Sequence, residues 1–479
     1  MRLSILLATE GTYPFHAGGV STWCDALTRN LPEFDFTLLS VMMHPYLKRQ
    51  YSLPPNIRFH LKIPLWGIEE PGEFSYLPLA DYLKRRWDLS ERVIETDLVP
   101  FIYQFFTEAL KQDPDPEKLG AALVRIHNYF QQYDYHQSMR SRPVWNAFQE
   151  VARSSHPLVS ELVDALRLVY RFFIVLHFPI PVTDITHSAA AAFCGLPCVI
   201  ARIQRGTPYL LTEHGVYLRE QYLNMRKHIA SDYVRWFLYR LVGAIVRLNY
   251  HYSDQISPVC SFNKRWELWH GADPKRLKVI YNGVDPERFK PTEERNVRPV
   301  VVNIGLIFPL KGQLDLIEAA AIVRQQHSEV EFRFYGSPSD QSYYERCLKR
   351  VGELSLESVV KFEGKTNEPW RVYSEASLVA FSSISEGFPY VVIEAMLSGT
   401  AIVATDVGGV REALGGAGIL VRPRHPEEMA TAINYLLEDP ERRRNLGSKA
   451  GQRALALFTQ EKFLQEYRES YYRLACVKV

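Results

Sequence analysis

The stretch that decides the fold is Phe381-Ser-Ser-Ile-Ser-Glu-Gly-Phe-Pro-Tyr-Val-Val-Ile-Glu-Ala-Met-Leu-Ser-Gly399. Its pattern predicts a buried strand, a loop that holds Glu386 and Gly387, and a helix that begins near Pro389. Proline suits a first helical turn, because the N–H group that it lacks would have no partner there. The free N–H groups of such a helix start favour an anion, so the segment predicts a diphosphate site. Glu394, about a turn and a half further on, is placed to accept hydrogen bonds from a ribose diol.

The same alternation of strand and helix continues on both sides of this segment. Downstream, strands are predicted at 299–305, 331–335, 359–363, 378–382 and 401–404, and helices at 311–325, 341–353, 389–398 and 426–437. Upstream, Leu3–Thr9, Val20–Leu31 and Phe36–Val41 predict a strand, a helix and a strand. Two series of βαβ units predict two doubly wound α/β domains, with ligands at the carboxyl ends of parallel strands.

The predicted boundaries follow from changes in composition along the chain. Residues 1–290 form an N-terminal Rossmann-like domain with a helical insertion at about 60–180, which is rich in aromatic and charged residues. A polar stretch near 291–298 is the expected linker to a second Rossmann-like domain at 291–455. Residues 456–479 contain an amphipathic helix with an aromatic stripe, which we expect to pack back onto the N-terminal domain.

Bulk composition excludes some classes of protein. The 479 residues are 47% apolar and 23% charged, which is ordinary for a globular protein. The 56 basic and 54 acidic residues give a net charge of +2, which argues against a nucleic-acid partner. The six cysteines form no CxxC pair and predict buried thiols in the reducing cytoplasm. No run reaches the roughly 18 apolar residues of a membrane span, so membrane association is expected only through partners.

Two short polar segments contain residue types that are common in metal and catalytic sites. Asp113-Pro-Asp-Pro116 contains the Asp-x-Asp pair that some sugar transferases use for a metal, but its proline-broken setting favours a turn. His187-Ser188 follows a β-rich run, and the sequence favours neither a functional nor a structural role for this pair. No metal site is therefore predicted.

The spacing Glu386 to Glu394 resembles the Glu-x7-Glu motif of retaining glycosyltransferases of family 4, which have the GT-B fold. The resemblance extends to Asn303–Gly312, which is similar to the Gly-Arg-x-x-Pro-x-Lys-Gly loop, and to Ala404–Glu412, which is similar to a Gly-Gly-x-x-Glu loop. It implies two Rossmann-like domains that face a central cleft. The arginine of the first loop is replaced here by Leu306, so one cation expected at the diphosphate is missing.

Segments in the N-terminal half are similar to the PelF subgroup, the glycosyltransferases associated with Pel exopolysaccharide synthesis. They are Glu10–Trp23, Leu211–Tyr217, Asn263–Arg265 and Val279–Asp285. The subgroup implies a UDP-sugar donor and a saccharide acceptor. It also implies a cytoplasmic protein that is peripheral to the inner membrane through a membrane-embedded polysaccharide synthesis complex.

The resemblance assigns roles to individual residues. The catalytic candidates are His214, Lys311 and Glu386. The substrate-binding candidates are Gly18, Gly19, Arg265, Gly387, Phe388, Pro389, Tyr390, Val391 and Glu394. Lys311 matches the lysine that binds the donor diphosphate, and Gly18, Gly19 and His214 are placed at helix starts or strand ends of the acceptor-side domain.

The expected reaction is retaining transfer of a hexosyl unit from a UDP-sugar to a saccharide, without a metal or other cofactor. Protein cations and a helix N-terminus would stabilise the leaving diphosphate. Two alternatives stay open at this point. One is a non-catalytic UDP-binding subunit of a polysaccharide assembly, which the absence of a cation at Leu306 favours. The other is a UDP-sugar 2-epimerase of the same fold.

Overall fold

The computed structural model describes residues 2–67, 77–153, 156–291 and 298–476. The chain divides into two compact units. Unit 1 contains Met1–Pro258, Lys264–Val279 and Tyr467–Val479, and unit 2 contains Val259–Asn263 and Ile280–Glu466. The linker predicted near 291–298 falls largely on residues 292–297, which lie outside the described residues.

Unit 1 is built on a six-stranded sheet in which every paired strand is parallel. Its strands are β1 (Ser4–Glu10), β2 (Asp35–Met42), β3 (Ile57–Pro64), β4 (Ile185–Ser188), β5 (Tyr209–Glu213) and β6 (Gln255–Pro258). Their order is β3-β2-β1-β4-β5-β6. The order reverses between β1 and β4, and this switch point is where a doubly wound sheet binds its ligands.

The helices of unit 1 cover the sheet and form a separate helical layer. They are α1 (Gly19–Asn30), α2 (Leu79–Trp87), α3 (Glu91–Asp97), α4 (Val99–Ala109), α5 (Pro116–Phe130), α6 (Tyr135–Met139), α7 (Arg142–Ala152), α8 (Val159–Phe172), α9 (Leu196–Arg205), α10 (Tyr217–His228), α11 (Asp232–Tyr252) and, from Lys264 onward, α12 (Ser261–Trp269). One continuous apolar core joins the sheet to helices α3–α11, which is why the inserted helices belong to this unit.

The insertion differs from the sequence-based boundary at its start. Residues 60–64 belong to β3, which pairs with β2 from Ile57 to Pro64. The apolar residues Ile57, Phe59, Leu61 and Ile63 alternate, which is the period of a strand. Strand β3 therefore runs to Pro64, past residue 60, the approximate start that was predicted for the helical insertion. The first helix of the described part of the insertion is α2.

Unit 2 repeats the topology of unit 1. Its six parallel strands are β7 (Val300–Ile304), β8 (Glu331–Tyr335), β9 (Val360–Gly364), β10 (Leu378–Phe381), β11 (Ala401–Thr405) and β12 (Ile419–Val421). Their order, β12-β11-β10-β7-β8-β9, places the switch point between β7 and β10. The helices are α13 (Gln313–Gln326), α14 (Gln341–Glu353), α15 (Pro369–Glu375), α16 (Tyr390–Leu397), α17 (Val410–Leu414), α18 (Pro426–Leu437) and α19 (Pro440–Leu457).

The last helix, α20 (Gln460–Cys476), carries the predicted aromatic stripe. Phe463, Tyr467, Tyr471 and Leu474 are all buried. From Tyr467 onward the chain belongs to unit 1, where Tyr471 packs edge-on against Phe34 with ring centroids 5.2 Å apart. Within the described parts of the chain, we find no helix that is both long and apolar enough to span a membrane.

Candidate functional site

The switch point of unit 2 is formed by the loops that follow β7 and β10. Lys311 ends a 3-10 turn, Pro309–Lys311, and Gly312 caps α13 in the left-handed region at φ 64°. A Cβ atom on Gly312 would lie 2.2 Å from the carbonyl oxygen of Ser382, so the backbones of the two loops approach each other closely. The N–H of Ile384 donates to the carbonyl oxygen of Leu310 at 2.7 Å. Lys311 is thereby fixed beside the loop after β10.

Lys311 and Glu386 form an ion pair at this switch point. Lys311 Nζ lies 2.5 Å from Glu386 Oε1, and the side chains are 23% and 13% exposed. The pair is therefore largely shielded from water, where charges interact more strongly than on an open surface. Two of the three residues predicted to be catalytic are thus brought together within one unit.

The loop from Gly387 to Pro389 is held by hydrogen bonds to its own carbonyl oxygens. Gly409 N–H donates to the carbonyl oxygen of Gly387 at 2.8 Å, and Asn282 Nδ2 donates to that of Phe388 at 2.8 Å. Phe388 is 4% exposed and packs against Tyr281, with ring centroids 5.2 Å apart. Its side chain holds the loop in place, which leaves the backbone of this segment as the part that a ligand can reach.

Helix α16 starts directly after this loop, with Pro389 as the residue before its first turn. Tyr390 and Val391 are the first two residues of the helix. The predicted start at Pro389 is thus one residue early, which is within the usual uncertainty of helix ends. The helix directs the positive end of its dipole toward the carboxyl edge of the sheet, a favourable position for an anion.

Glu394 lies on α16 and is hydrogen bonded to Tyr373. Tyr373 Oη donates to Glu394 Oε2 at 2.9 Å. Burial raises the pKa of Glu394 to about 7, against the lowering effects of the Tyr373 hydrogen bond and of Arg288. The carboxyl group therefore changes its charge near neutral pH.

Leu306 occupies the position at which family 4 resemblance leads us to expect an arginine. It is 40% exposed, and its carbonyl oxygen accepts a hydrogen bond from Gln313 Nε2 at 3.0 Å. Arg265, one of the predicted substrate-binding residues, lies on α12 in the part of the chain that belongs to unit 1, with its guanidinium 5.6 Å from the ring centre of Trp266.

The switch point of unit 1 opens into a cavity of about 570 Å³. Its lining includes Glu10 and Gly11 at the end of β1, Ala189 and Ala190 after β4, and His214 after β5. These residues lie at the ends of three adjacent strands, which places the cavity at the carboxyl edge of the sheet. The cavity is thus the position in unit 1 where a ligand is expected.

His214 is held in this cavity by packing. Its ring lies edge-on to Trp23, with centroids 4.9 Å apart. Its Nε2 atom is buried and has no hydrogen-bond partner within the described residues. Burial lowers the pKa of the imidazole to about 3, so the ring is neutral at physiological pH. A neutral ring with an unpaired nitrogen at a cavity wall is suited to a hydrogen bond with a ligand hydroxyl.

Glu10 is a candidate that the sequence reasoning did not single out. Tyr217 Oη donates to Glu10 Oε1 at 2.7 Å, and Cys194 N–H donates to Oε2 at 3.0 Å. Burial raises the pKa of this carboxyl group. Its position as the last residue of β1 could have predicted a place at the ligand site, because residues at the carboxyl ends of strands line the ligand crevice.

Gly18 and Gly19 lie at the start of α1, as predicted from the sequence. Gly18 precedes the helix in an extended conformation, with φ 161° and ψ 173°. A Cβ atom added to Gly18 would meet nothing within 4 Å. The packing of the protein itself therefore does not require glycine at position 18, so the open space in front of it is available to a ligand.

His187, by contrast, has a structural role. It is fully buried, and its Nδ1 and Nε2 atoms lie 2.8 Å from Tyr471 Oη and 2.8 Å from Thr212 Oγ1. Both ring nitrogens are thus occupied, and the ring connects α20 to the sheet of unit 1. The Asp-x-Asp pair is occupied in a similar way. Asp115 caps α5, and Asp113 forms an ion pair with Arg247.

Comparison with solved structures confirms the GT-B fold. Anabaena Alr3699/HepE, solved in complex with UDP, superposes with a TM-score of 0.61 at 17% identity, covering 98% of this chain and 100% of that one. Sucrose-phosphate synthase from Thermosynechococcus elongatus gives a TM-score of 0.62 at 18% identity, covering 99% and 100%. Identities this low establish the fold alone.

Curated relatives match a more limited part of the chain. D-inositol 3-phosphate glycosyltransferase of Nocardia farcinica is 34% identical over 199 residues, which is 38% of this chain and 44% of that protein. A second D-inositol 3-phosphate glycosyltransferase, from Catenulispora acidiphila, is 33% identical over 206 residues, or 39% and 48% of the two chains. The chain spans about half the length of the curated relatives that it matches.

Family comparisons divide the chain close to the boundary between its two sheets. Residues 3–275 match a family described as a domain of unknown function, DUF3492. Residues 284–453 match the glycosyl transferases group 1 family. The chain thus belongs to the DUF3492 family and joins that region to a group 1 glycosyl transferase domain in a GT-B fold.

Proposed function

We propose that this chain is a retaining glycosyltransferase that moves a hexosyl unit from a UDP-sugar to a saccharide acceptor. The observation that carries the proposal is the Lys311–Glu386 pair beside the start of α16, at the switch point of the group 1 domain. A shielded cation and a helix N-terminus at one sheet edge are the elements that stabilise a leaving diphosphate.

In this proposal, each of the candidate residues in unit 2 has a defined role in donor binding. Lys311 binds the diphosphate, and the backbone from Gly387 to Val391 supplies N–H groups to it. Glu386 contacts the donor sugar, and Glu394 accepts hydrogen bonds from the ribose diol. UDP is the bound nucleotide in Anabaena Alr3699/HepE, which supports uracil as the base of the donor nucleotide.

Transfer with retention places the acceptor hydroxyl on the same face of the sugar as the departing phosphate. The phosphate oxygen then accepts the hydroxyl proton, so no carboxylate nucleophile is required. The bond from the anomeric carbon to the phosphate oxygen breaks as the bond to the acceptor oxygen forms. In this scheme Lys311 replaces the charge that a metal ion supplies in other transferases.

The acceptor side is assigned to the cavity of unit 1. Its Glu10, neutral His214 and the open space before Gly18 supply hydrogen-bond partners and room for a sugar. Polar groups of this kind fix the orientation of a ligand in a concave site. The PelF resemblance supports a saccharide acceptor in exopolysaccharide synthesis, with the protein held in the cytoplasm near a membrane-embedded complex.

UDP affinity of Lys311→Ala tests the donor site. Hydrogen bonds to charged groups contribute about 1.5–3 kcal/mol each, so calorimetry should show UDP binding weaker by roughly 10- to 150-fold. Lys349→Ala is the matched control, because that lysine lies on α14 of the same unit with its side chain 78% exposed. Equal UDP affinity in the two variants would contradict the donor-site assignment.

A non-catalytic UDP-binding subunit is the second candidate, and Leu306 favours it. An exposed leucine replaces a cation at the expected diphosphate position, which weakens stabilisation of the leaving group. The two functions differ in turnover. Incubation with a panel of UDP-sugars and oligosaccharides, followed by NMR of the products, gives a new glycosidic linkage for a transferase. UDP binding without any product supports the binding subunit, and a sugar epimer formed without acceptor supports an epimerase.

A further inference from the structure

A second cavity in unit 1, of about 390 Å³, lies outside the proposed active site. One wall is the face of α11 that carries Arg240, Gly243 and Arg247, spaced three and four residues apart. Lys111, from the end of the α4 region, and Trp269, from α12, complete it. Leu218 of α10 lines this cavity, and the preceding Tyr217 lines the cavity of His214.

The lining of this second cavity is cationic. It includes Lys111, Arg240, Arg247 and His270, and no aspartate or glutamate is among the described residues that line it. Lys111 Nζ lies 2.7 Å from Glu108 Oε2, and Arg247 is paired with Asp113. Lys111 and Arg247 are thus partly neutralised, which leaves Arg240 as the main source of positive charge in this concave wall, where charge attracts anions more strongly than on an open surface.

Arg240 differs from the other two permanent cations. Its Nε atom is buried and has no hydrogen-bond partner within the described chain. A buried donor without a partner is unfavourable for the folded protein, and such groups in native structures call for an explanation. A bound anion would supply the missing acceptor.

Gly243 provides an independent observation. It lies in the middle of the 21-residue helix α11, where glycine is a poor helix former relative to alanine. A Cβ atom added to Gly243 would meet nothing within 4 Å, so no neighbouring side chain or backbone atom requires glycine there. The absence of a side chain enlarges the cavity between Arg240 and Arg247.

Two aromatic side chains of the cavity lining are exposed to solvent. Trp269 is 73% exposed and Tyr239 is 38% exposed, and both belong to the lining. Exposed aromatic rings beside hydrogen-bond donors are typical of surfaces that bind amphipathic ring ligands. A sugar ring stacked on Trp269 would place a negatively charged substituent near Arg240.

We propose that this cavity binds a sugar that carries a phosphate or a carboxylate group. The anion pairs with Arg240 and Arg247, and the sugar ring stacks on Trp269. The residues that line this cavity belong to unit 1, and the proposed donor residues belong to unit 2, so the proposal does not depend on the proposed transferase activity.

Calorimetry with glucose 6-phosphate and glucuronate tests this site directly. At least one of the two should bind saturably and at least tenfold more tightly than glucose or inorganic phosphate alone. Arg240→Gln should weaken that binding at least tenfold, and Gly243→Glu should abolish it by filling the space with a negative charge. Arg167→Gln is the matched control, because that arginine lies on α8, outside the cavity, with its side chain 66% exposed, and its binding should stay within threefold of the wild type. Thermal melting of each variant establishes that it is folded.

The same titration in Lys311→Ala separates this site from the proposed donor site. Binding should be unchanged in that variant, because Lys311 belongs to unit 2. The proposal is overturned by the absence of saturable binding to the folded wild type, by equal binding to Arg240→Gln, or by loss of binding in Lys311→Ala.

Discussion

Ionisation of Glu394 should set the pH dependence of UDP binding. The carboxyl group is buried beside Tyr373, and burial raises its pKa to about 7. In the proposed donor site it accepts hydrogen bonds from the ribose diol, which the ionised form does best because it is an acceptor only. The contribution is therefore present above this pKa and is lost as the pH falls through it.

The magnitude follows from the titration itself. With a pKa of about 7, roughly nine-tenths of the group is ionised at pH 8 and roughly one-tenth at pH 6. If only the ionised form binds the ribose well, UDP affinity falls about tenfold between these values, or about 1.4 kcal/mol. Protonation of UDP also changes the affinity over this range, so the wild type alone does not isolate the effect.

Glu394→Gln supplies the comparison, since its amide does not titrate but retains the shape of the side chain. UDP affinity is measured by calorimetry for both proteins from pH 6 to pH 8. The ratio of the two affinities cancels the titration of UDP and should change about tenfold. A ratio that stays constant across this range would refute the role of Glu394.

Tyr373→Phe extends the same experiment. Tyr373 is fully buried, and its hydroxyl group lowers the pKa of Glu394 by stabilising the ionised form. Without that hydroxyl group the pKa should rise, and the loss of UDP affinity should begin at a higher pH than in the wild type. An unchanged midpoint would mean that another group controls the pH dependence.

Three further outcomes are expected. Burial and the nearby Glu213 raise the pKa of Glu267, so the wild type loses stability as the pH rises toward that pKa. Chemical denaturation should therefore show that Glu267→Gln stabilises the protein more at pH 8 than at pH 5. Gly18→Ala should leave the melting temperature unchanged but reduce sugar transfer, and full transfer would show that no ligand approaches there. His187→Phe should lower the free energy of unfolding by about 1–3 kcal/mol, and an unchanged value would argue against its structural role.

Much of the fold was predictable because parallel strands bury both faces and stand out as continuous apolar runs. Helix α19 was not, because its sequence is polar and its buried residues are small. Gly447, Ala450 and Ala454 face the interior, and a Cβ atom on Gly447 would lie 2.0 Å from the carbonyl oxygen of Gly399. Close packing of small residues leaves no strong hydrophobic period for the sequence to reveal.

The candidate site was predictable to the level of strand ends, not of side chains. The motif spacing led to Lys311, Glu386 and Glu394, and the structure places the first two in one ion pair. It did not lead to Glu10, whose two oxygens are held by Tyr217 and Cys194 from distant parts of the chain. Nor did it show that the Phe388 side chain is buried, since the direction of a loop side chain depends on tertiary packing.

The Lys311–Glu386 ion pair determines what the leucine at position 306, in place of the arginine expected from the family 4 resemblance, changes at the proposed donor site. Lys311 is already paired with Glu386, so a diphosphate in the proposed donor site must share or displace that carboxylate. A second cation from position 306 would have offset this competition, but leucine cannot donate a hydrogen bond. In the proposed donor site, the backbone N–H groups at the start of α16 therefore contribute a larger part of diphosphate binding. Because these groups are dipoles without net charge, they leave more of the negative charge uncompensated than an arginine would.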